Sequence, residues 1–343
     1  MLTVSASPWL ISEAGYPAAG TPSEKLEWML GYAVLAPSTH NTQPWRFRVK
    51  DGEVRLSADR TRGLPVADPA GREMTISCGA ALFLLRVAIR RFGFVDEVAP
   101  FPDVGDPDLL AAVRLGEPDV PLPEVLRLFA AITRRHTHRL HFDDAPVAPS
   151  AAAALSFAAA DEDARLRVVD DAEMRSAVAA LAREGDRVQF ADPDFRRELS
   201  SWVRTNQAPQ HDGMPSSAFG IPDIVSPLGV TLMGAVNLGV VWGGRSHQAV
   251  ENAPLLAVLC TARDEPADWL AAGQALARTL LTATDRGLAA GFVNQPVQVP
   301  ALRVRLREAL RTDAWPQMVM RIGHPRREVP PTPRRTVDEV LEG

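Results

Sequence analysis

The chain reads as two modules of mixed helix and strand joined in one polypeptide, the second a distant echo of the first. Three observations predict this. At 343 residues the chain exceeds what one small core needs and suits two modules. A helical pattern bounded by glycines occurs twice. An apolar run of strand length with an R-x-G-x-P ending follows each copy.

A helix is predicted from about Ser23, closing in the loop Ala36 to Trp45 and followed by a strand over Phe47 to Val49. Val54 to Ala58 alternates like a half-buried strand, whereas Leu255 to Cys260 is continuously apolar, as in a buried strand. Gly79-Ala80-Ala81-Leu82 opens a helical pattern that stops at Gly93, and Gly273-Gln274-Ala275-Leu276 opens another that stops at Gly287. Within each, Leu and Ala recur at helical spacing, and the second glycine suits a C-cap. Val113-Arg114-Leu115-Gly116-Glu117-Pro118 answers Met320-Arg321-Ile322-Gly323-His324-Pro325. Either match alone is within reach of chance; two in the same order, about 194 and 207 residues apart, favour duplication. The boundary falls near Pro121 to Glu124, which divides the chain into residues 1–122 and 123–343.

Hydrophobic residues make up 46% and charged residues 23%, an ordinary globular balance. A net charge of -5 argues against a nucleic-acid partner, which wants a basic face. Cys78 and Cys260 lie far apart and form no ligand-spaced cluster, which suits the cytoplasm, although two cysteines can also pair. The N-terminus lacks the basic start and apolar run of a signal peptide. Ile224 to Gly244 carries no charge and is long enough to span a bilayer. Its glycines, Pro227 and Asn237 favour a buried or lid-like segment of a protein with no membrane partner.

Three segments carry candidate chemistry. Ala36-Pro37-Ser38-Thr39-His40-Asn41-Thr42-Gln43-Pro44-Trp45 packs hydroxyls, amides and two prolines into one loop, a set suited to a neutral heteroaromatic ligand or to an ordinary helix-to-strand turn. Arg134-Arg135-His136-Thr137-His138-Arg139-Leu140-His141-Phe142, if extended, places Arg135, Thr137 and Arg139 on one side as a phosphate grip. A solvated basic edge, or a metal site on His136, His138 and His141, are the alternatives; no cysteine or carboxylate is arranged to complete a metal shell. Gly287 to Pro296 ends a helix, forms a short strand and presents Asn294 and Gln295 at its exit, where amides can meet a polar ring edge or simply close a helix-strand junction. No G-x-S-x-G, H-E-x-x-H or cysteine nucleophile constellation is found.

The Ala36 to Trp45 segment resembles the P-S-x-x-N-x-Q-P-W signature of the nitroreductase family. With Ser77-Cys78-Gly79-Ala80-Ala81-Leu82 and the tail Pro331-Thr332-Pro333-Arg334-Arg335-Thr336-Val337-Asp338, it is similar to the Acg-like branch of that family. The resemblance implies an α+β fold, a nitroreductase-like fold with mainly antiparallel sheets flanked by helices, normally a homodimer with two FMN sites. In that family each site takes an R-x-S-x-R phosphate grip from one subunit and a P-S-x-x-N loop from the other. Here the loop occurs only in the first half and R-x-T-x-R only in the second. A fused chain that has lost one copy of each keeps one FMN between its halves, as a monomeric pseudo-dimer or in a further homodimer.

Carried over, the resemblance places Pro37, Ser38, Thr39 and Asn41 against the flavin, with Gln43 in the same set. Arg135 and Thr137 hold the phosphate, Arg139 nears the N1 and O2 edge, and Asn294 and Gln295 meet N5 and O4. Arg334 and Arg335 supply the C-terminal phosphate contact. Arg321 is weaker, because Arg114 takes the same place in the half expected to be empty. The implied function is FMN-dependent transfer of hydride from NAD(P)H to an electron-poor small-molecule acceptor. Residues 190–242, with Trp202, Asp212-Gly213 and Phe219-Gly220-Ile221-Pro222, fall where Acg-like proteins place a lid. That opens two further readings: a flavin-sequestering protein with little turnover, and a specialised biosynthetic flavoenzyme.

Overall fold

Helix α1 (Pro22–Ala33) starts with proline in its first turn and a capping box, in which Thr21 N donates to Glu24 Oε2 at 2.7 Å and Glu24 N to Thr21 Oγ1 at 3.3 Å. The computed structural model describes residues 7–205, 208–216 and 235–342. Strands β1 (Trp45–Lys50) and β2 (Glu53–Ala58) form a hairpin across Asp51-Gly52, both at positive φ (52° and 75°), the turn a twisted antiparallel pair needs. Helix α2 (Arg72–Arg91) then leads to β3 (Phe94–Pro100) and β4 (Leu109–Pro118), completing an antiparallel sheet of order β1-β2-β4-β3.

Helix α3 (Pro123–Ile132) follows, and Leu128, Phe129, Ala131 and Ile132 on it join the same core as this first sheet. After α4 (Pro149–Ala160) come β5 (Arg165–Val168), α5 (Ala172–Ala191), α6 (Pro193–Ser201), the short parallel pair β6 (Val203–Arg204) and β7 (Met214–Pro215), and α7 (Gly239–Glu251). Strand β8 (Leu255–Thr261), helix α8 (Pro266–Asp285), β9 (Ala289–Phe292), α9 (Gln295–Gln298), α10 (Pro300–Ala309) and β10 (Trp315–Gly323) end the second half. The second sheet, order β5-β8-β10-β9, is also antiparallel and matches the first strand for strand, with a long helix between its second and third strands in chain order. The fold is α+β, with antiparallel sheets flanked by helices.

The two strand patterns have different environments. β8 is buried at every position because α4 and α8 cover one face of its sheet and α5 and α10 the other. β2 alternates because its sheet is packed on one face only. Among the described residues no helix is long and apolar enough to cross a membrane. Phe219 to Pro222 and most of the uncharged stretch from Ile224 lie outside the described residues. The rest of the 190–242 segment is not loop throughout: it contains α6 and the start of α7.

The repeated glycines have a structural cause that differs from the one expected. Gly79 and Gly273 do not open their helices, which begin seven residues earlier at Arg72 and Pro266. They lie where α2 crosses α8. A Cβ on Gly79 would stand 2.3 Å from the Leu270 carbonyl oxygen, and one on Gly273 would stand 2.1 Å from that of Ile76. Only hydrogen fits between the two backbones. Gly93 and Gly287 do follow the helix ends, at φ 86° and 70°. The R-x-G-x-P matches lie within β4 and at the end of β10 rather than after them. The C-terminal tail docks on β1, Phe47 N donating to Val340 O at 2.9 Å and Glu342 N to Phe47 O at 2.7 Å.

Gly273→Ala should therefore destabilise the protein by about 2 kcal/mol or more, since neither backbone can yield without moving a helix. Gly244→Ala, whose Cβ would meet nothing within 4 Å, should be neutral or stabilising by up to about 1 kcal/mol. Thermal melts of the two variants check this; equal melting temperatures would contradict the close crossing.

Candidate active site

The loop after α1 is held in an unfavourable conformation. His40, Asn41 and Gln43 have φ of 51°, 57° and 51°, left-handed values that cost a non-glycine residue about 1–2 kcal/mol each. Side chains on both sides offset this cost. Gln43 N donates to Ser38 Oγ at 2.9 Å, and Thr39 Oγ1 to Glu73 Oε2 at 2.8 Å. Glu73 is itself buried, paired with Arg72 at 3.0 Å and hydrogen-bonded by Gln298 Nε2 at 3.0 Å. Asn41 Nδ2 donates to Gly213 O at 2.9 Å and Pro333 O at 3.0 Å, while its Oδ1 accepts from Arg334 Nη1 at 2.8 Å. Gln43 Nε2 donates to His211 O at 2.8 Å, and its Oε1 accepts from Arg335 N at 2.8 Å.

Pro37, Ser38 and Thr39 consequently face a cavity of about 650 Å³, whereas Asn41, Gln43 and Arg335 do not line it. These three latch the tail and the 211–213 segment onto the loop.

The second segment is pinned to the edge of the second sheet: His138 N donates to Ala290 O at 2.7 Å and Thr137 bridges the same residue. Thr137 and Arg139 line the cavity. Arg134 is exposed and returns to Ala130 O, whereas Arg135 is buried and donates to Leu35 O at 3.3 Å. Arg334 comes from the tail to the same carbonyl at 3.4 Å. Among the described residues, none of Arg135, Arg139 and Arg334 has a carboxylate partner. Burial pushes Arg135 and Arg139 down to about 10; the Arg139 charge adds to the effect on Arg135, and Arg334 is lowered by burial and by both neighbours. Nε of Arg135 and of Arg334 are buried without a hydrogen-bond partner. Burial and the same cations push His40 and His136 down to about 4, holding them neutral. This is a concentration of buried positive charge that an anion would relieve.

Asn294, Gln295 and Arg321 complete this side of the cavity. Asn294 Oδ1 accepts from Val319 N at 3.0 Å. Arg321, against expectation, is not the counterpart of Arg114 in environment. Arg114 pairs at the surface with Glu53 at 2.9 Å, while Arg321 is buried over the Phe142 ring at 5.3 Å with Nε unpaired. The opposite wall comes from α5, α6, β7 and α7, through Phe190, Phe195, Leu199, Met214 and Trp242. Among the described residues no group of three His, Cys, Asp or Glu side chains is placed to hold a metal.

Sequence reasoning missed Glu73, His40 and Asp186. Glu73 carries no signal, being one acid near a helix start. Asp186 does: it stands in the i, i+4 series Val178, Ala182, Asp186, Phe190, a carboxylate on a buried stripe.

The chain is similar to known proteins. A family model described as the nitroreductase family matches residues 116–324, more than half of the chain. A Mycobacterium tuberculosis (strain H37Rv) protein provisionally named NAD(P)H nitroreductase is 34% identical over 336 residues, covering 93% of this chain and 92% of its own. The Acg protein of the same strain, with the same provisional name, is 32% identical over 323 residues, covering 90% and 92%. Among solved structures, the FMN and NADPH-dependent nitroreductase NfnB from Sphigopyxis sp. strain HMH aligns at a TM-score of 0.41 and 19% identity, over 63% of this chain and 98% of that one.

If the guanidinium cluster is an anion site, Arg135→Met should raise the melting temperature of ligand-free protein by a few degrees, because an uncompensated buried charge is removed. Inorganic phosphate should stabilise the wild-type protein, and the variant much less. Thermal shift with and without phosphate reads both effects; a variant less stable than wild type, with an unchanged phosphate response, would mean the cluster is a structural feature only.

Proposed function

The chain belongs to the nitroreductase family, and we propose that it is a flavoprotein that binds one FMN per chain and uses NAD(P)H to reduce a small electron-poor acceptor. The observation that carries this reading is a cavity of ligand size bordered by the Pro37 to Thr39 loop and by Arg139 and Arg321, with the buried guanidinium groups of Arg135 and Arg334 near Arg139 but outside the lining. The residues present fit the group. Thr137 and Arg139 line the cavity, and Nε of Arg135 and of Arg334, which do not line it, has no hydrogen-bond partner among the described residues and is free for a phosphate dianion. Pro37, Ser38 and Thr39 would border the ring or ribityl, with Asn294 and Gln295 on its polar edge. Arg321 adds a cation at that edge. FMN, when bound, supplies reversible hydride chemistry at its N5, so no side chain need act as nucleophile.

What the chain itself contributes is positioning. The Arg72–Glu73 pair sets the Thr39 hydroxyl, and the Asn41 and Gln43 latch holds the loop against the tail. The cationic groups favour an anionic reduced ring over the neutral oxidised one. The single-site proposal follows from the two halves. Their sheets share a strand order, which supports a fused pair acting as a pseudo-dimer, joined near residues 122 and 123 with α3 packed back on the first core. The loop and the arginine segment each occur once, and the position of Arg321 is answered in the first half by a surface ion pair. The buried free thiols Cys78 and Cys260 accord with a cytoplasmic setting.

A second reading, flavin sequestration with little turnover, is favoured by the apolar wall that α5, α6 and α7 raise across the cavity. Stopped-flow mixing with NADPH separates the two. Fast bleaching of the flavin supports the reductase, and bleaching by dithionite alone supports sequestration.

The protein should purify yellow and release about one FMN per chain on denaturation; a ratio near two would overturn the split-site reading. Arg135→Ala should weaken FMN binding roughly ten- to a hundredfold, while Arg134→Ala, exposed and bonded only to its own helix, should leave it unchanged. Flavin titration measures both, and equal losses would contradict the grip.

A further inference from the structure

We propose that Asp186 is the acid of this cavity, a carboxyl that hands a proton to the electron acceptor. The proposal rests on the reductase reading above and assigns a residue to its second half-reaction. Asp186 lies on α5 at 3% exposure and borders the cavity. Its Oδ1 accepts from Gln295 Nε2 at 3.1 Å, and the same Nε2 donates to Ser246 Oγ at 3.4 Å. Its Oδ2 is buried and has no partner, as is Gln295 Oε1.

The fold brings this carboxyl to the site through two glycines. A Cβ on the preceding Gly185 would stand 2.6 Å from Gln295 Cβ, and one on Gly239 would stand 3.1 Å from the Asp186 carbonyl oxygen. Helix α5 therefore approaches both α9 and α7 more closely than a side chain would allow. A carboxyl on an otherwise apolar stripe is costly to bury and is retained where its chemistry is used.

The surroundings favour an acid over a docking point for a cation. Arg183, Glu184 and Arg187 on α5 are not buried, and Glu184 is paired with Arg305 of α10. On α10, Arg303 is paired with Asp264, and Arg307 lies over the Trp315 ring. Helix α7 presents Arg245, stacked on Trp242 at 5.0 Å, and His247; α6 carries Asp194, Arg196, Arg197 and Glu198; α9 carries no charge. Across the cavity stand His40, Arg139, His141 and Arg321. A cationic ligand in the cavity would meet Arg139, Arg245 and Arg321. Burial pushes the Asp186 carboxyl up to about 6, against the opposing effect of the Ser246 and Gln295 side chains. It is therefore a proton donor below that pH and a carboxylate above it.

With a quinone as acceptor the step balances. Bound FMN, once reduced by NAD(P)H, would supply a hydride carrying both electrons to one oxygen of the quinone. Its other oxygen takes the proton released as the carboxyl O–H bond of Asp186 breaks, giving hydroquinone and a carboxylate. Solvent then returns the proton to Asp186.

Two measurements on FMN-loaded protein test the assignment, using Asp186→Asn and Asp186→Glu. Infrared difference spectra of wild type against Asp186→Asn should show a protonated-carboxyl band that is lost with a midpoint near pH 6 and is absent from the variant. Pre-reduced wild-type protein mixed with a quinone should reoxidise more slowly as pH rises through about 6, because the acid form is consumed. Asp186→Asn should be about a hundredfold slower below that pH and flat across it, with Asp186→Glu restoring part of the slope. FMN content and reduction by dithionite should be unchanged in both variants. No titrating band, a wild-type profile in Asp186→Asn, or loss of FMN from it would each overturn the assignment alone. A wild-type protein that binds no flavin overturns the reductase reading, and this one with it.

Discussion

Helices α2 and α8 cross where Gly79 faces Gly273, and the rest of the site depends on that contact. Each backbone fills the space a side chain of the other would need, so the helices meet at a distance that only glycine permits. The contact holds two antiparallel sheets in one body, and the first core accordingly takes in Leu270, Ala277 and Leu281 from the second-half helix. It also fixes where the chain's functional segments can meet. The loop after α1 belongs to the first half, the arginine segment is pinned to Ala290 of the second, and the tail returns to β1 of the first. Separating the helices would take these three apart.

Around that contact the molecule concentrates charge that it does not neutralise. Elsewhere buried and half-buried arginines are paired: Arg72 with Glu73, Arg86 with Asp96 and Glu162, Arg278 with Glu162. Arg135, Arg139, Arg321 and Arg334 have no carboxylate among the described residues. Buried cations without a partner oppose folding, so their retention points to a ligand that supplies the missing charge. The left-handed residues of the loop belong to the same economy of strain, with Asn41, Gln43 and the tail holding a conformation the loop would not keep alone.

The second half differs from the first mainly in what lies between β5 and β8. Helices α5, α6 and α7 occupy that interval, cover one face of the second sheet and wall the cavity. The corresponding interval in the first half is the two-residue hairpin turn between β1 and β2. These helices complete the burial of the second sheet on both faces and bring the Asp186 carboxyl to the cavity.

Local rules were enough for the sequence to determine the elements. Alternation at Val54 to Ala58 and the unbroken apolar run at Leu255 to Cys260 report one-sided and two-sided burial directly, because side-chain period and packing are coupled in a strand. The helix-ending Gly93 and Gly287 follow from local pattern as well. The residues bordering the cavity through Pro37 to Thr39, Thr137, Arg139, Asn294, Gln295 and Arg321 were also legible, since their motifs stand at element ends. What only the tertiary structure decided is which groups face each other across sequence separations of a hundred residues or more. Asn41 and Gln43 look like ligand contacts in a motif, yet the 211–213 segment and the tail consume their hydrogen bonds. Gly79 and Gly273 look like helix starts, yet they are a crossing. Asp186 marks its helix as unusual, but its place beside Gln295 depends on two glycine contacts that no local pattern reports. Periodicity records the environment of one chain segment; the pairing of segments is set by packing between them, and that is where this site is made.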